Sequence, residues 1–145
     1  MHNPVTDPVS YDLDLATISG GLQSVGILEF DIIPNGTTIQ FEYIFASEEY
    51  PGYANPTSPY NDAMGLFISG PSISGTENIA LLPITNDPVS VQNLNNGWDG
   101  SFAGPCNNCS SFICNYATFP VFHNPHLTYS GYSKILTATK SGLVC

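Results

Sequence analysis

The chain has 145 residues, of which 42% are hydrophobic, and this is enough for one globular domain over residues 1–145 with a core of its own. Twelve acidic residues and two basic ones give a formal net charge of −10, which repels nucleic acid phosphates and argues against a nucleic acid partner. No run of apolar residues is long enough to span a bilayer, so we expect no direct membrane insertion.

The N-terminal segment, residues 1–20, precedes the first strand-like run. It lacks the basic and apolar regions of a signal peptide. We expect an irregular lead-in or an edge strand, and such a strand could be donated to another chain.

Alternating apolar and polar residues begin at "ILEFDII" (27–33) and continue at "TIQFEYIF" (38–45). A period of two is typical of half-buried strands. The link "PNGT" contains Asn35–Gly36, a strong hairpin signal. The sequence therefore predicts two antiparallel strands joined by a hairpin.

Further strand-like runs follow, separated by segments rich in Gly, Pro, Asn and Ser. They are residues 63–69, 78–84, 89–94, 110–114 and 133–139. No segment of about 11 or more residues keeps a helical period. The predicted fold class is all-β, an antiparallel, jelly-roll-like β-sandwich with a long functional loop after the second strand.

The acidic residues of that loop are candidate metal ligands. Glu48 and Glu49 follow the second predicted strand, and Asn61 and Asp62 precede the third. Calcium takes about 6 to 8 oxygen ligands, and these side chains with loop carbonyls could supply them, so we predict a calcium site. Two alternatives remain: acids that accept loop N–H groups or face water, and a catalytic pair in a glycan-acting hydrolase, with Asp62 opposite Glu48 or Glu49.

Two clusters could contact a ligand. Aromatic residues accompany the acids in the loop, and "QNLNNGWDG" combines amides with an indole, which would suit a sugar. The alternative for the second cluster is an Asn-rich turn anchored by its tryptophan. The candidate ligand-binding residues are Tyr50, Tyr53, Asn93, Asn95, Trp98 and Asp99.

Four cysteines, Cys106, Cys109, Cys114 and Cys145, allow three disulfide pairings. Two disulfides would indicate an oxidising, extracellular compartment. A four-thiolate zinc site and unpaired buried cysteines are the alternatives, although zinc ribbons usually have two C-x2-C pairs and this chain has one.

Several motifs also occur in a characteristic order. They are "FEYIFASEEYPGY", "NDAMGLFISGP", "NIALLP", "PVSVQNLNNG", "GPCNNCSSF" and "YSGYSKILTA". In this order they resemble the choice-of-anchor L domain. The resemblance implies a secreted, β-rich, non-catalytic module at the bacterial cell surface, with a targeting segment absent from this chain.

Members of that family continue past the position of Cys145, so we expect either a fragment or a sandwich completed by another chain. Strand exchange between copies would build a filament. The leading expectation is a calcium-stabilised adhesion module that binds a glycan or a protein surface; a self-assembling filament subunit and a glycan-acting hydrolase are the alternatives.

Overall fold

The computed structural model describes residues 12–19, 24–97, 106–115 and 124–144. Within these ranges one α-helix, α1, spans Leu13–Ser19. Asp12 caps it, because the Leu15 N–H donates to Asp12 Oδ1 at 2.8 Å. The prediction of an irregular lead-in or edge strand is therefore wrong for residues 13–19, where a local cap and a negative charge at Asp14 favour a short helix.

The longest strands pair residues that are far apart in sequence. β1 spans Thr38–Tyr43 and β9 spans Leu136–Ser141, and they run antiparallel with Tyr43 opposite Leu136. Exposed and half-buried residues alternate along all of β1. The alternation predicted for this strand is confirmed.

The predicted hairpin partner of β1 is wrong. Residues 27–33 form no strand in the structure, and bends at residues 35–37 lead directly into β1. β9 instead pairs with all six residues of β1 and buries Leu136 and Ala138. Pairing with β9 buries apolar side chains, and it is therefore favoured over a hairpin at the local Asn-Gly turn. The local sequence pattern does not indicate which of the two partners β1 takes.

In the part of the chain that the structure describes, the remaining strands are short, antiparallel and arranged in three further sheets. The order β2-β8-β7 forms one sheet, β3 pairs with β6, and β4 pairs with β5. Their bounds are β2 Ala46–Ser47, β3 Ala63–Met64, β4 Phe67–Ile68, β5 Glu77–Asn78, β6 Val89–Ser90, β7 Phe112–Cys114 and β8 Gly131–Ser133. The all-β class is confirmed, while the jelly-roll-like sandwich stays a prediction.

The predicted strand over residues 63–69 is divided into β3 and β4, and Gly65 and Leu66 lie between them. At Gly65, a Cβ atom would lie 2.4 Å from the Phe67 ring, so this ring packs directly over the glycine. The other predicted runs also contain strand segments, shorter than the sequence suggests because turns and bends interrupt them.

The cysteine prediction is confirmed for one pair. Cys106 and Cys109 form a disulfide, and a 3₁₀ turn at Cys109–Ser111 leads from it into β7. These two sulfurs are therefore not available as zinc ligands. Cys114 lies half-buried in β7 and Cys145 lies outside the described residues, so a second disulfide stays a prediction.

The core combines residues of β6, β7 and β9 with residues of the segments between strands. One aromatic contact lies within it. The Tyr50 and Phe112 rings lie 4.7 Å apart. A Cβ atom on Gly131 of β8 would lie 2.5 Å from Phe112 and 2.8 Å from Tyr50, so both rings fill the space above this glycine. The buried cluster is Phe45, Tyr50, Ala54, Leu82, Val89, Val91, Leu94, Phe112 and Leu136.

We expect Gly131→Ala to destabilise the protein by about 1–3 kcal/mol, because the added methyl group would force both rings to move. Urea unfolding followed by tyrosine fluorescence measures this free energy. Gly52→Ala is the matched control, since its Cβ atom has nothing within 4 Å, and we expect it to be neutral or slightly stabilising. Equal stability of the two variants would contradict this account of the core.

Candidate functional site

The acidic loop, residues 48–62, begins where β2 ends at Ser47 and returns the chain to β3 at Ala63. Its first turn is closed by the Tyr53 N–H, which donates to the Glu49 carbonyl at 3.0 Å. Tyr50 and Ala54 are buried, and the Tyr50–Pro51 peptide bond is cis. The loop is thus attached to the core at its start.

Two of the predicted metal ligands are brought together by hydrogen bonds. The Ser47 hydroxyl donates to Asp62 Oδ2 at 2.7 Å and accepts the Glu49 N–H at 3.0 Å. The Asp62 N–H donates to Glu49 Oε2 at 2.9 Å. Each carboxylate is therefore held by one oxygen, and the two acids at opposite ends of the loop become neighbours.

The other oxygen of each carboxylate is not engaged in the same way. Glu49 Oε1 and Asp62 Oδ1 accept no hydrogen bond from any residue that the structure describes. Both atoms retain lone pairs for a cation or for water.

The surroundings of the pair change the pKa of Glu49. Burial raises the pKa of Glu49, the hydrogen bond from the Asp62 N–H lowers it in part, and the negative charge of Asp62 raises it again. The net shift is upward from the ordinary value of 4.5. The ionised Glu49 is thus less favourable in the folded chain than in water.

The other two predicted ligands have different surroundings. Asn61 Oδ1 accepts the Gln92 N–H at 3.0 Å, which ties the end of the loop to the segment after β6. Glu48 is exposed, and it lies one residue from Glu49. Among the residues described, no group of three or more His, Cys, Asp or Glu side chains is placed to hold a metal ion.

The acidic loop is adjacent in space to residues 92–97, called the Asn-rich segment below. Gln92 links them, because its side-chain Nε2 also donates to the Ser58 carbonyl at 3.2 Å. The preceding residue adds a second link, since the Val91 N–H donates to the Asp62 carbonyl at 2.9 Å. Sequence reasoning missed Ser47 and Gln92. Ser47 had a weak signal, since serine hydroxyls often accept the backbone N–H two residues further on, whereas Gln92 had none.

The amides of the Asn-rich segment mainly hold backbone. Asn95 is fully buried, donates to the Val91 and Gln92 carbonyls and accepts the Gly97 N–H. Asn93 donates to the Pro88 carbonyl at 3.0 Å. These contacts support the reading of a turn stabilised by amides. The two other candidates of this cluster, Trp98 and Asp99, lie outside the described residues.

The tyrosines of the loop divide into a buried one and an exposed pair. Tyr50 is only 3% exposed and donates its hydroxyl hydrogen to the Leu94 carbonyl at 2.6 Å, so it offers almost no surface to a ligand. Tyr53 is 46% exposed, and its ring meets that of Tyr60 edge to face at 5.2 Å. This pair gives the acidic loop an accessible aromatic surface.

The chain was compared with curated proteins, solved structures and protein families. No curated protein and no solved structure shows a significant match to the chain. In the part of the chain that the structure describes, no helix has the length and apolar character needed to cross a membrane.

The family model of the choice-of-anchor L domain matches residues 2–145, essentially the whole chain. The match indicates a module of secreted or surface-associated bacterial proteins. The chain therefore belongs to the choice-of-anchor L domain family.

Proposed function

We propose that the chain is a non-catalytic extracellular module of adhesion, whose acidic loop is stabilised by a calcium ion. The observation that carries this proposal is the pair formed by Glu49 and Asp62, in which each carboxylate has one oxygen held by the loop and one oxygen open. The family supports the extracellular setting, and the pair supports the cation.

A cation fits this pair for an electrostatic reason. Two ionised carboxylates that are held close together repel each other. The raised pKa of Glu49 reflects first its burial and, to a smaller extent, this repulsion by Asp62. A calcium ion would replace the repulsion with attraction. Glu49 Oε1 and Asp62 Oδ1 would be its first ligands; Glu48, loop carbonyls and water would complete the set of about 6 to 8 oxygens.

The surface that meets the ligand is proposed to be the exposed pair of Tyr53 and Tyr60. Aromatic rings present an apolar face on which sugars and protein side chains pack. A loop fixed by calcium would hold these rings in position before binding, which lowers the entropic cost of association. A glycan or a protein surface remains the proposed class of ligand.

A glycan-acting hydrolase is the second candidate, because one observation favours it. A carboxylic acid with a raised pKa, such as Glu49, can act as a proton donor when a second carboxylate, here Asp62, lies near it. Shortening of a glycan by the wild-type chain that is abolished in Glu49→Gln would favour this candidate over the adhesion module.

Thermal unfolding with calcium and with a chelator tests the metal. Calcium at a hundredfold excess over its dissociation constant should stabilise the native chain by about 2.7 kcal/mol. Asp62→Asn keeps an acceptor for the Ser47 hydroxyl but removes the charge, so its melting temperature should not respond to calcium.

The matched control for this experiment is Asp87→Asn, which removes one exposed carboxylate outside the acidic loop. It should respond to calcium as the wild-type chain does. A wild-type melting temperature that is the same with calcium and with chelator would overturn the calcium proposal.

The pKa of Glu49 also predicts a pH dependence with a defined sign. Because this pKa is raised in the folded chain, Glu49 contributes stability in chelator below its ordinary value of 4.5, and this contribution is lost as the pH rises through the raised pKa. With calcium the trend should reverse, since protons compete with the cation. Urea unfolding over this pH window measures both trends, and Glu49→Gln should flatten both.

For the ligand surface, we expect Tyr53→Ala together with Tyr60→Ala to weaken retention on insoluble bacterial cell-wall polysaccharide by about thirtyfold, because each of the two aromatic rings contributes on the order of 1 kcal/mol and about 1.4 kcal/mol is tenfold. Ile84→Ala is a matched control, since Ile84 is a large exposed apolar residue outside the loop. Equal retention of the two variants and the wild-type chain would show that this pair is not the contact surface.

A further inference from the structure

Residues 27–33, called the apolar arm below, form an exposed stretch without a strand partner among the residues that the structure describes. The arm contains no helix, turn or sharp bend, and no backbone hydrogen bond joins it to another described residue. Unpaired N–H and C=O groups in such a stretch are a template for pairing with another strand.

The arm is fixed at both ends and at its centre. Val25, just before it, is buried. The Phe30 ring meets the Phe41 ring of β1 edge to face at 6.5 Å, and beyond the arm the Thr37 carbonyl accepts the Leu143 N–H at 3.0 Å. A partner strand would therefore meet a stretch that is already positioned beside a sheet, which reduces the ordering cost of binding.

The side chains of the arm alternate in the manner of a strand that is covered by a partner. Leu28 is 78% exposed, Phe30 60% and Ile32 43%. Glu29 and Asp31 stand between these apolar residues and are exposed as well. Contiguous apolar exposure in a soluble chain marks an interaction surface.

Charge decides which partner fits this surface. Glu29 and Asp31 make the arm acidic. The chain has only two basic residues, and one of them, Lys140, is paired with Glu77. A second copy of this chain, with a net charge of −10, would bring like charges together, and like charges opposite one another on paired strands are destabilising.

We propose that the apolar arm is a docking site for an extended, basic segment of a different protein. The segment would add as a strand to the arm, with apolar residues against Leu28 and Phe30 and with Lys or Arg side chains opposite Glu29 and Asp31. The backbone ladder would supply affinity, and the charges would select the partner. This site is separate from the acidic loop and does not depend on the function proposed for it.

Fluorescence anisotropy with a labelled peptide that alternates lysine with valine tests the proposal, on the whole chain and in chelator, so that loss of the calcium site cannot affect the result. The wild-type chain should bind it. Glu29→Lys with Asp31→Lys should weaken binding by about tenfold or more, because two attractive cross-strand pairs become repulsive.

Asp14→Lys with Asp87→Lys is the matched control, since it makes the same change in net charge at exposed acids outside the arm. It should change the dissociation constant by less than about twofold, because its charges lie outside the arm and are exposed to solvent, where salt screens them. Equal weakening in both double variants would overturn the proposal in favour of attraction by net charge alone. Circular dichroism melts confirm that each variant is folded.

Two further probes separate strand addition from other modes of binding. The same peptide, N-methylated at alternate backbone nitrogens, keeps its charge but cannot form the ladder, so it should bind at least about tenfold more weakly. Equal binding of the methylated peptide would overturn strand addition. Sedimentation of the wild-type chain alone should show a monomer at the concentrations used, and self-association as tight as peptide binding would assign the arm to a second copy instead.

Discussion

The packing of Tyr50 is the contact on which the rest of the structure depends. Its ring lies on Phe112 of β7 above Gly131 of β8, and its hydroxyl donates to the Leu94 carbonyl after β6. One side chain therefore connects the start of the acidic loop to a sheet and to the Asn-rich segment. Since Glu49 directly precedes Tyr50, burial of this ring also determines where that carboxylate lies.

The acidic loop concentrates negative charge in a chain with little positive charge to offset it. Lys134 is exposed and Lys140 is engaged with Glu77, so the partners of Glu49 and Asp62 in the structure are a hydroxyl and a backbone N–H. Hydrogen bonds of this kind distribute the charge but do not neutralise it. A divalent cation would neutralise this negative charge without a basic side chain, and for this reason calcium is proposed for the loop.

Local patterns in the sequence were sufficient where the structure is local. The alternation along β1 and the division of the chain into short strands followed from period and turn residues. The proximity of Glu49 and Asp62 also followed from their positions, because acids that flank a long loop meet when its ends meet. The family motifs added the extracellular setting.

Long-range choices could not be predicted in this way. Whether β1 pairs with residues 27–33 or with β9 depends on the burial of Leu136 and Ala138, about a hundred residues away. The roles of Tyr50 and Asn95 could not be predicted for the same reason. A tyrosine in a Tyr-rich loop, or an asparagine in an Asn-rich segment, can contact a ligand or be buried in the core. Their burial distinguishes the two, and burial is a property of the folded chain.

The two proposed surfaces lie on one continuous stretch, since the apolar arm leads through β1 and β2 into the acidic loop. The junction between β1 and β2 is held against β8 by two hydrogen bonds. The Phe45 N–H donates to Ser133 Oγ at 2.9 Å, and the Phe45 carbonyl accepts the Ser133 N–H at 2.7 Å. Coupling between two sites requires an element with two arrangements that both sites bias. Phe45 is buried, and both its N–H and its carbonyl are hydrogen-bonded to Ser133 of β8, so it is poorly suited to such movement. Each surface is therefore expected to bind its ligand without altering the other.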